Sequence, residues 1–466
     1  MSIFKAYDVR GIYPKEINTD IGYKIGRALV LFTKAKEVVV GHDMRMSSSI
    51  IHNALIEGII DQGADVIDIG LCSTPMLYFA ARKSPAAVMV TASHNPQEYN
   101  GFKICGKNAI SISGESGLKK IEELVKKGKF GRAKKGRVCP KPIIKEYLEH
   151  SLKFAGNYSN TNNEFSIKNL KVVFDFGNGM SSMEIPKVME HLASAGVESI
   201  YLFQDLDGRF PNHEANPIKP ENLKHLASAV TKNDADMGVA FDGDGDRTGF
   251  VDEKGKMIHG DIILAMIAKE MLDEKNNAKS KKSKVGKRKE EVLYEIRSSW
   301  ATREAIVEAG GKPVLYKAGH ALIKEKMKKD DIFMGGEKAG HYFFRDNFYV
   351  ESTIIAMLAI MKMLSREKAG GKTLSKIVSS IEKYYNSGEV NFKVTDADKT
   401  IKSVEVKYKK GAQKVFHVDG VTIEYRDWWF NLRKSNTEPL VRLNLEAKSS
   451  ELMKKKLKEV SGMIKK

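Results

Sequence analysis

Ala87-Val88-Met89-Val90-Thr91-Ala92-Ser93-His94-Asn95-Pro96 runs from a fully apolar strand signal straight into a hydroxyl, an imidazole and a chain-breaking Asn-Pro pair. A strand that ends this way holds its serine at the carboxyl edge of a sheet, where α/β proteins place their ligands. A second stretch has the same form. The apolar run Met237-Gly-Val-Ala-Phe241 leads into Asp242-Gly243-Asp244-Gly245-Asp246-Arg247. In an extended segment positions i, i+2 and i+4 project to one side, so Asp242, Asp244 and Asp246 can converge. Converging carboxylates repel unless a cation sits among them, and hard oxygen ligands suit Mg²⁺. Together the two stretches suggest a phosphoryl-bearing serine facing a divalent metal.

A calcium-binding EF-hand is the rival for the Asp run, since counting from Asp242 places Glu253 at the position of the bidentate ligand. Its sixth position is Arg247, where that loop needs glycine, and both flanks look like strands rather than helices. Ala369-Gly-Gly-Lys-Thr373 imitates a phosphate loop, but the first glycine of that motif would fall at Arg366, and a helix signal precedes it.

Around these loops, strands alternate with helices. From Glu37 to about Lys127, apolar runs (Val38–Val40, Val66–Ile69, Ala87–Val90) alternate with helix-like stretches such as 48–62 and 74–82, the rhythm of an α/β layer. It recurs after Pro140 with helices at 143–154, 182–195 and 221–231 between strands, and again after Asp261 with helices at 261–272, 300–309, 321–328 and 353–365. After about Thr373 the pattern becomes strands at 390–394, 422–425 and 441–445 around a polar loop, then a terminal helix. The fold class expected is α/β: three related α/β domains (1–142, 143–255 and 256–370) plus a smaller α+β domain (371–466) around a central cleft. The 466 residues agree with several domains of ordinary size.

Composition excludes several classes. At 42% hydrophobic and 29% charged residues the chain is of ordinary globular make-up, and its longest apolar stretch, 353–364, is too short for a span and carries Lys362. Membrane is not an expected partner. Charges among the first ten residues leave no signal-peptide core, so a cytoplasmic location is expected. Cys72, Cys105 and Cys139 lack metal or disulfide spacing and are expected to be buried or half-buried. The formal charge of +18 and the segment Lys275–Lys289 raise nucleic acid as a partner. That segment has no aromatic residue to stack on bases, so a solvated loop is expected and nucleic acid is not. A positive field also attracts phosphosugars.

Two more loops carry polar chemistry: Gly335-Gly-Glu337-Lys-Ala339-Gly-His341 offers an acceptor suited to sugar hydroxyls, and Arg433-Lys-Ser435-Asn436-Thr437-Glu-Pro439 gathers donors suited to a phosphate dianion. With Tyr7-Asp-Val-Arg10-Gly11, Asn100-Gly-Phe-Lys103, Gly208-Arg-Phe-Pro-Asn-His213 and Gly319-His320, these motifs resemble the α-D-phosphohexomutase family over essentially the whole chain. The resemblance implies that Ser93 is phosphorylated at rest and that Asp242, Asp244, Asp246 and a phosphoserine oxygen hold Mg²⁺. Arg10 and Lys103 would then flank the transferring phosphoryl group, with His320 and His341 beside the sugar. Tyr7, Arg247, Arg297 and Glu337 would contact the substrate, and Arg433, Ser435, Asn436 and Thr437 would grip the phosphate that stays. It further implies a hexose 1,6-bisphosphate as intermediate and activator, and a phosphosugar as partner. Thr91, Lys434 and Asn436 resemble the phosphomannomutase/phosphoglucomutase branch rather than the glucosamine-phosphate mutases, which remain the alternative enzyme. Ala339 stands where a serine is usual and Arg297 where a lysine is common. A non-catalytic binder of sugar phosphate or nucleic acid has no need of Ser93 together with three aspartates.

Overall fold

Six strands in the order Val9–Ile12, Tyr99–Cys105, Ala87–Val90, Glu37–His42, Asp65–Leu71 and Val138–Pro140 make the first sheet. The structure, a computed structural model, describes residues 2–157, 164–280, 289–435 and 440–465. Ala87–Val90 is wholly buried, runs parallel to Glu37–His42 and antiparallel to Tyr99–Cys105. A strand covered on both faces reads as a continuous apolar run, which is why it was visible in the sequence.

The second and third sheets repeat this arrangement. In the second, Glu198–Leu202, Lys171–Asp175 and Met237–Phe241 are parallel neighbours, and Thr248–Asp252 and Met257–Ile258 follow antiparallel. In the third, Lys312–Tyr316, Glu291–Glu295 and Met334–Gly336 are parallel, followed by Tyr342–Phe344 and Val350–Glu351. In all three, the turn from the last parallel strand to the first antiparallel one carries chemistry: Ser93 in the first, the Asp run in the second, Glu337 in the third. The repeat is in topology, not in sequence, and it sets three functional loops at equivalent sheet edges.

The fourth sheet is antiparallel throughout, with Tyr385–Lys393, Leu440–Ala447, Trp428–Lys434, Val421–Glu424 and Lys414–Phe416 in that order. Helices Ala397–Tyr408 and Ser450–Ile464 pack on it around Phe430, Leu443 and Val460. The stretch between the 390–394 and 422–425 strands contains the helix Ala397–Tyr408, which the sequence pattern does not announce; it is capped by Asp396, whose side chain accepts from Lys399 N.

The largest core joins the first three units. It includes the helix Thr353–Ala369, buried from Thr353 to Leu364 and capped by Ser352, and the helix Gly260–Ser280. Helix Leu374–Ile381 packs against Gly260–Ser280 and Trp300–Glu308, so the packing of the third unit continues past residue 370. The basic segment 275–289 is not wholly a loop, because Gly260–Ser280 runs into it. Lys275 pairs with Glu290 at 2.8 Å and lies 4.3 Å from the Phe333 ring centre. Residues 281–288 of that segment lie outside the described residues. Cys72 and Cys105 are buried, but Cys139, on the exposed edge strand Val138–Pro140, is not.

Candidate active site

Ser93 is built into a strained turn. Its φ of +51° lies in the left-handed region, and the residue is 1% exposed. Non-glycine residues are held there only when their surroundings over-determine them. Arg45 supplies much of that restraint. Its buried guanidinium donates to the carbonyl oxygens of Ser93 at 2.8 Å, Asn95 at 2.5 Å, Pro96 at 2.7 Å and Tyr99 at 3.0 Å. The Ser93 amide donates to Thr91 Oγ1 at 2.9 Å.

The Asp run meets this turn directly. Ser93 Oγ donates to Asp242 Oδ2 at 2.8 Å, joining the first unit to the second. The two backbones approach so closely that a Cβ on Gly243 would lie 2.5 Å from the Ser93 carbonyl oxygen. The segment 242–247 is a turn, with Gly245 at φ +76°, rather than extended chain, so strand alternation is not what brings the aspartates together. The turn itself does so, and one carboxylate oxygen from each lies within 4.8 Å of the others.

These carboxylates are fully buried and only partly neutralised. Lys103 Nζ, on the strand Tyr99–Cys105, sits 2.6 Å from Asp244 Oδ2 and also bonds Asp246. Burial alone would lower the Lys103 pKa, but Asp244 and Asp246 outweigh it and hold the ammonium charged. Thr74 Oγ1 donates to Asp244 Oδ2 at 2.6 Å. Asp244 Oδ1 and Asp246 Oδ1 are buried without a hydrogen-bond partner. Burial and its two neighbouring carboxylates push Asp242 well above the usual carboxylate range. Orphaned hard oxygens beside a buried serine hydroxyl fit a small divalent cation such as Mg²⁺.

Arg10 lies on the same rim. Its Nη1 donates to Ala92 O at 2.5 Å and Asn95 Oδ1 at 2.6 Å, and its Nε to Asp8 at 3.0 Å. His94 Nδ1 is 3.2 Å from Ser93 Oγ, and burial with Arg247 and Arg10 nearby lowers its pKa, keeping it neutral.

The third unit closes on this pair of loops. Thr248 N donates to Gly340 O at 3.0 Å, and Thr353 Oγ1 to Gly245 O at 3.1 Å. Glu337 accepts from Gly319 N at 2.6 Å and pairs with His341 Nδ1 at 2.9 Å. Burial would raise the Glu337 pKa, but His341 outweighs it and brings it to about 2. His341 Nε2 lies 3.4 Å from Asp246 Oδ1 and 3.1 Å from Arg247 Nε. Burial and Arg247 oppose its charge, yet Asp246 and Glu337 prevail and raise it to about 9. His320 stacks on His341 with ring centres 5.6 Å apart, while Tyr7 meets His320 edge-on at 5.9 Å. Burial lowers the His320 pKa against the pull of Glu351, so this imidazole is neutral. Its Nδ1 lies 3.7 Å from Glu351 Oε1.

Arg297 faces Glu295 at 2.8 and 2.9 Å, in the third unit, and comes within 4.0 Å of Glu389 in the fourth. Arg433 donates to Glu389 at 2.7 Å, and Ser435 Oγ accepts from Arg442 at 3.1 Å. Asn436 and Thr437 lie outside the described residues. A cavity of about 360 Å³ lined by Tyr7, Ser113, Lys119, Lys317 and Asp419 opens where the first, third and fourth units meet. Sequence reasoning missed Arg45, Thr74 and Glu389. Each acts across the fold on a distant loop, and no local spacing announces that.

Comparison with known proteins agrees with this geometry. Residues 1–132, 145–255 and 259–384 match phosphoglucomutase/phosphomannomutase α/β/α domains I, II and III, and residues 389–462 match the C-terminal domain of the same family. A phosphomannomutase of Escherichia coli is 37% identical over 473 residues, covering 100% of this chain and 99% of the relative. The structure of a phosphoglucomutase/phosphomannomutase family protein from Burkholderia thailandensis superposes with a TM-score of 0.86 at 30% identity, covering 99% of this chain and 97% of the other. An Aspergillus fumigatus N-acetylphosphoglucosamine mutase, solved with GlcNAc-6P and magnesium, shares the fold at 15% identity and a TM-score of 0.62, covering 99% and 95% of the two chains. The chain belongs to the phosphoglucomutase/phosphomannomutase family of α-D-phosphohexomutases and is a phosphohexose mutase.

Proposed function

We propose that this mutase interconverts the 1- and 6-phosphates of mannose and glucose, with Ser93 as phosphoryl carrier and Mg²⁺ as its metal. One observation carries most of the weight: Ser93 Oγ lies 2.8 Å from Asp242, beside Asp244 Oδ1, which is buried without a hydrogen-bond partner, and Asp246 Oδ1, which has only His341 Nε2 at 3.4 Å. Asp242, Asp244 and Asp246 would hold Mg²⁺, which when bound withdraws charge from the phosphoryl oxygens.

The remaining work falls to side chains. A dianionic phosphoryl group repels an incoming hydroxyl, and the cationic Arg10 and Lys103 offset that repulsion as the group passes in line. The phosphorus–Oγ bond of Ser93 breaks as a bond to the sugar hydroxyl oxygen forms, and the hydroxyl proton ends on Ser93 Oγ. Neutral His320 is suited to accept that proton in transit, and His341 stands beside it between Glu337 and Asp246. The bound hexose 1,6-bisphosphate then turns, and its other phosphate returns to Ser93. Tyr7, Arg247, Arg297 and Glu337 orient the ring, and Arg433, Ser435, Asn436 and Thr437 hold the phosphate that is not moving. The resemblance of Thr91, Lys434 and Asn436 to the phosphomannomutase/phosphoglucomutase branch favours mannose and glucose over glucosamine as the sugar. Among the described residues no helix is long and apolar enough to cross a membrane.

A coupled assay following glucose 6-phosphate formed from glucose 1-phosphate, with Mg²⁺ and catalytic glucose 1,6-bisphosphate, tests this. Turnover of glucosamine 1-phosphate alone would overturn the sugar assignment, and turnover of no hexose phosphate the whole proposal.

A further inference from the structure

In the fourth unit Arg433 and Arg442 stand directly opposite one another on the antiparallel strands Trp428–Lys434 and Leu440–Ala447. Like charges in that register repel. Glu389 lies against both. It sits on the neighbouring strand Tyr385–Lys393, diagonal to Arg442, which pairs with Asn391. The chain reaches this place through an irregular register between Asn386 and Glu389, with Gly388 at φ +69° in the break. Glu389 Oε2 accepts from Arg433 Nη2 at 2.7 Å, and Oε1 accepts from Arg442 Nη1 at 3.2 Å. Arg297 Nη1, from the third unit, approaches the same carboxylate at 4.0 Å.

Glu389, with Asp419 Oδ2 at 3.9 Å from Arg433 Nη1, does not use all these donors. The Arg433 side chain is 9% exposed, and its Nε is buried without a hydrogen-bond partner, as is Nε of Arg442. The arrangement is an anion cradle already holding an anion that belongs to the chain. Resting on the mutase reading above, we infer that Glu389 competes with the non-transferred phosphate of the substrate for Arg433 and Arg442 and so sets how loosely that phosphate is held. A bisphosphate that must turn over within the site cannot be gripped irreversibly, and two arginines with bidentate reach would hold a dianion tightly. A carboxylate beside the bound phosphate raises the free energy of the complex. The same carboxylate keeps the empty cradle paired.

A purely structural brace predicts the opposite sign. If Glu389 only orients the arginines for phosphate, removing its charge weakens phosphate binding. If it competes, removing its charge strengthens it.

The test uses the full chain and its Glu389→Gln and Glu389→Asp variants. Calorimetry measures inorganic phosphate binding, and steady-state kinetics measure conversion of glucose 1-phosphate. Glu389→Gln is expected to bind inorganic phosphate about tenfold tighter, the scale of one charge-assisted hydrogen bond. KM for glucose 1-phosphate should fall with it and kcat should fall too, because the intermediate turns more slowly. Glu389→Asp, which keeps the charge on a shorter arm, should lie between parent and Glu389→Gln. Phosphate binding that is unchanged or weaker in Glu389→Gln overturns the inference. If that variant does not fold, Glu389→Asp decides, and phosphate binding no tighter than in the parent overturns it. A parent that turns over no hexose phosphate sinks the mutase assignment, while the inorganic phosphate measurement still decides the role of Glu389.

Discussion

Arg45 Nη2 donates a 2.8 Å hydrogen bond to the carbonyl oxygen of Ser93, and the same guanidinium reaches the carbonyls of Asn95, Pro96 and Tyr99. Its Nε lies 3.3 Å from Asp43 Oδ2, and its plane lies over the Phe210 ring at 5.0 Å. The left-handed backbone of Ser93 is thus held by a residue 48 positions earlier. A lysine carries the charge but not the planar fork, so Arg45→Lys leaves several carbonyls unpaired. We expect kcat to fall about ten- to hundredfold, in line with a displaced nucleophile, while KM changes by no more than about threefold. Steady-state kinetics beside a circular dichroism spectrum check this. A large rise in KM at unchanged kcat would assign Arg45 to substrate binding instead.

Asp244→Asn keeps the shape of the central carboxylate and removes its charge. Asp244 Oδ1 has no partner to lose, and Asp244 Oδ2 faces Lys103 and Thr74. Loss of a metal ligand should reduce kcat by about a hundredfold or more, with the melting temperature within a few degrees of the parent. Chelation should abolish parental activity, and added Mg²⁺ restore it. Activity indifferent to both treatments would contradict the metal assignment.

Glu184, at the start of the helix Ile185–Ala193, is buried, with Oε1 unpartnered, and burial raises its pKa to about 8 despite a hydrogen bond from Ser73. The folded chain therefore retains a proton there that the unfolded chain releases above its usual value near 4.5. By linkage, stability falls as pH rises from about 4.5 to about 8, by an amount on the order of a few kcal/mol. Glu184→Gln cannot ionise, so its melting temperature relative to the parent should be higher at pH 8 than at pH 5. Thermal melts at the two pH values check it, and a constant difference would show that Glu184 does not titrate in this window.

Both oxygens of Glu337 are already engaged, by Gly319 N and by His341. Ala339, two residues on, supplies no hydroxyl where the family resemblance implies one. Ala339→Ser adds a donor to the loop and should raise kcat/KM by about two- to tenfold, the range of one hydrogen bond to substrate. Kinetics with mannose and glucose 1-phosphates check this, and an unchanged or lower value for both would remove residue 339 from the sugar contact.

How much of this was legible depended on burial and on distance along the chain. Ala87–Val90 and Met237–Phe241 are buried on both faces, so each appeared as an unbroken apolar run, and the loop after each showed its chemistry. Tyr99–Cys105 is buried too, but it carries Lys103 into the site and buries Asn100 against Ser47 and Ser48, which hid it as a strand. Trp428–Lys434 was hidden likewise by Asn431, whose amide is buried against Thr422 and the backbone. The helix Ala397–Tyr408 buries only Val404 fully, so its apolar face was too thin to read. The convergence of the aspartates was foreseen for the wrong reason, since a turn does what alternation was expected to do. Arg45, Thr74 and Glu389 act across tertiary contacts that leave no trace in local sequence.

The central claim is that Ser93 carries the phosphoryl group that moves. Peptide mass spectrometry of the active enzyme, taken before and after incubation with glucose 1,6-bisphosphate, addresses it most directly. The account predicts one phosphoryl group on Ser93, its occupancy rising with activity, and a Ser93→Ala variant that is folded and at least about a thousandfold slower. Full activity with Ser93 unmodified, or an undiminished Ser93→Ala enzyme, would contradict it.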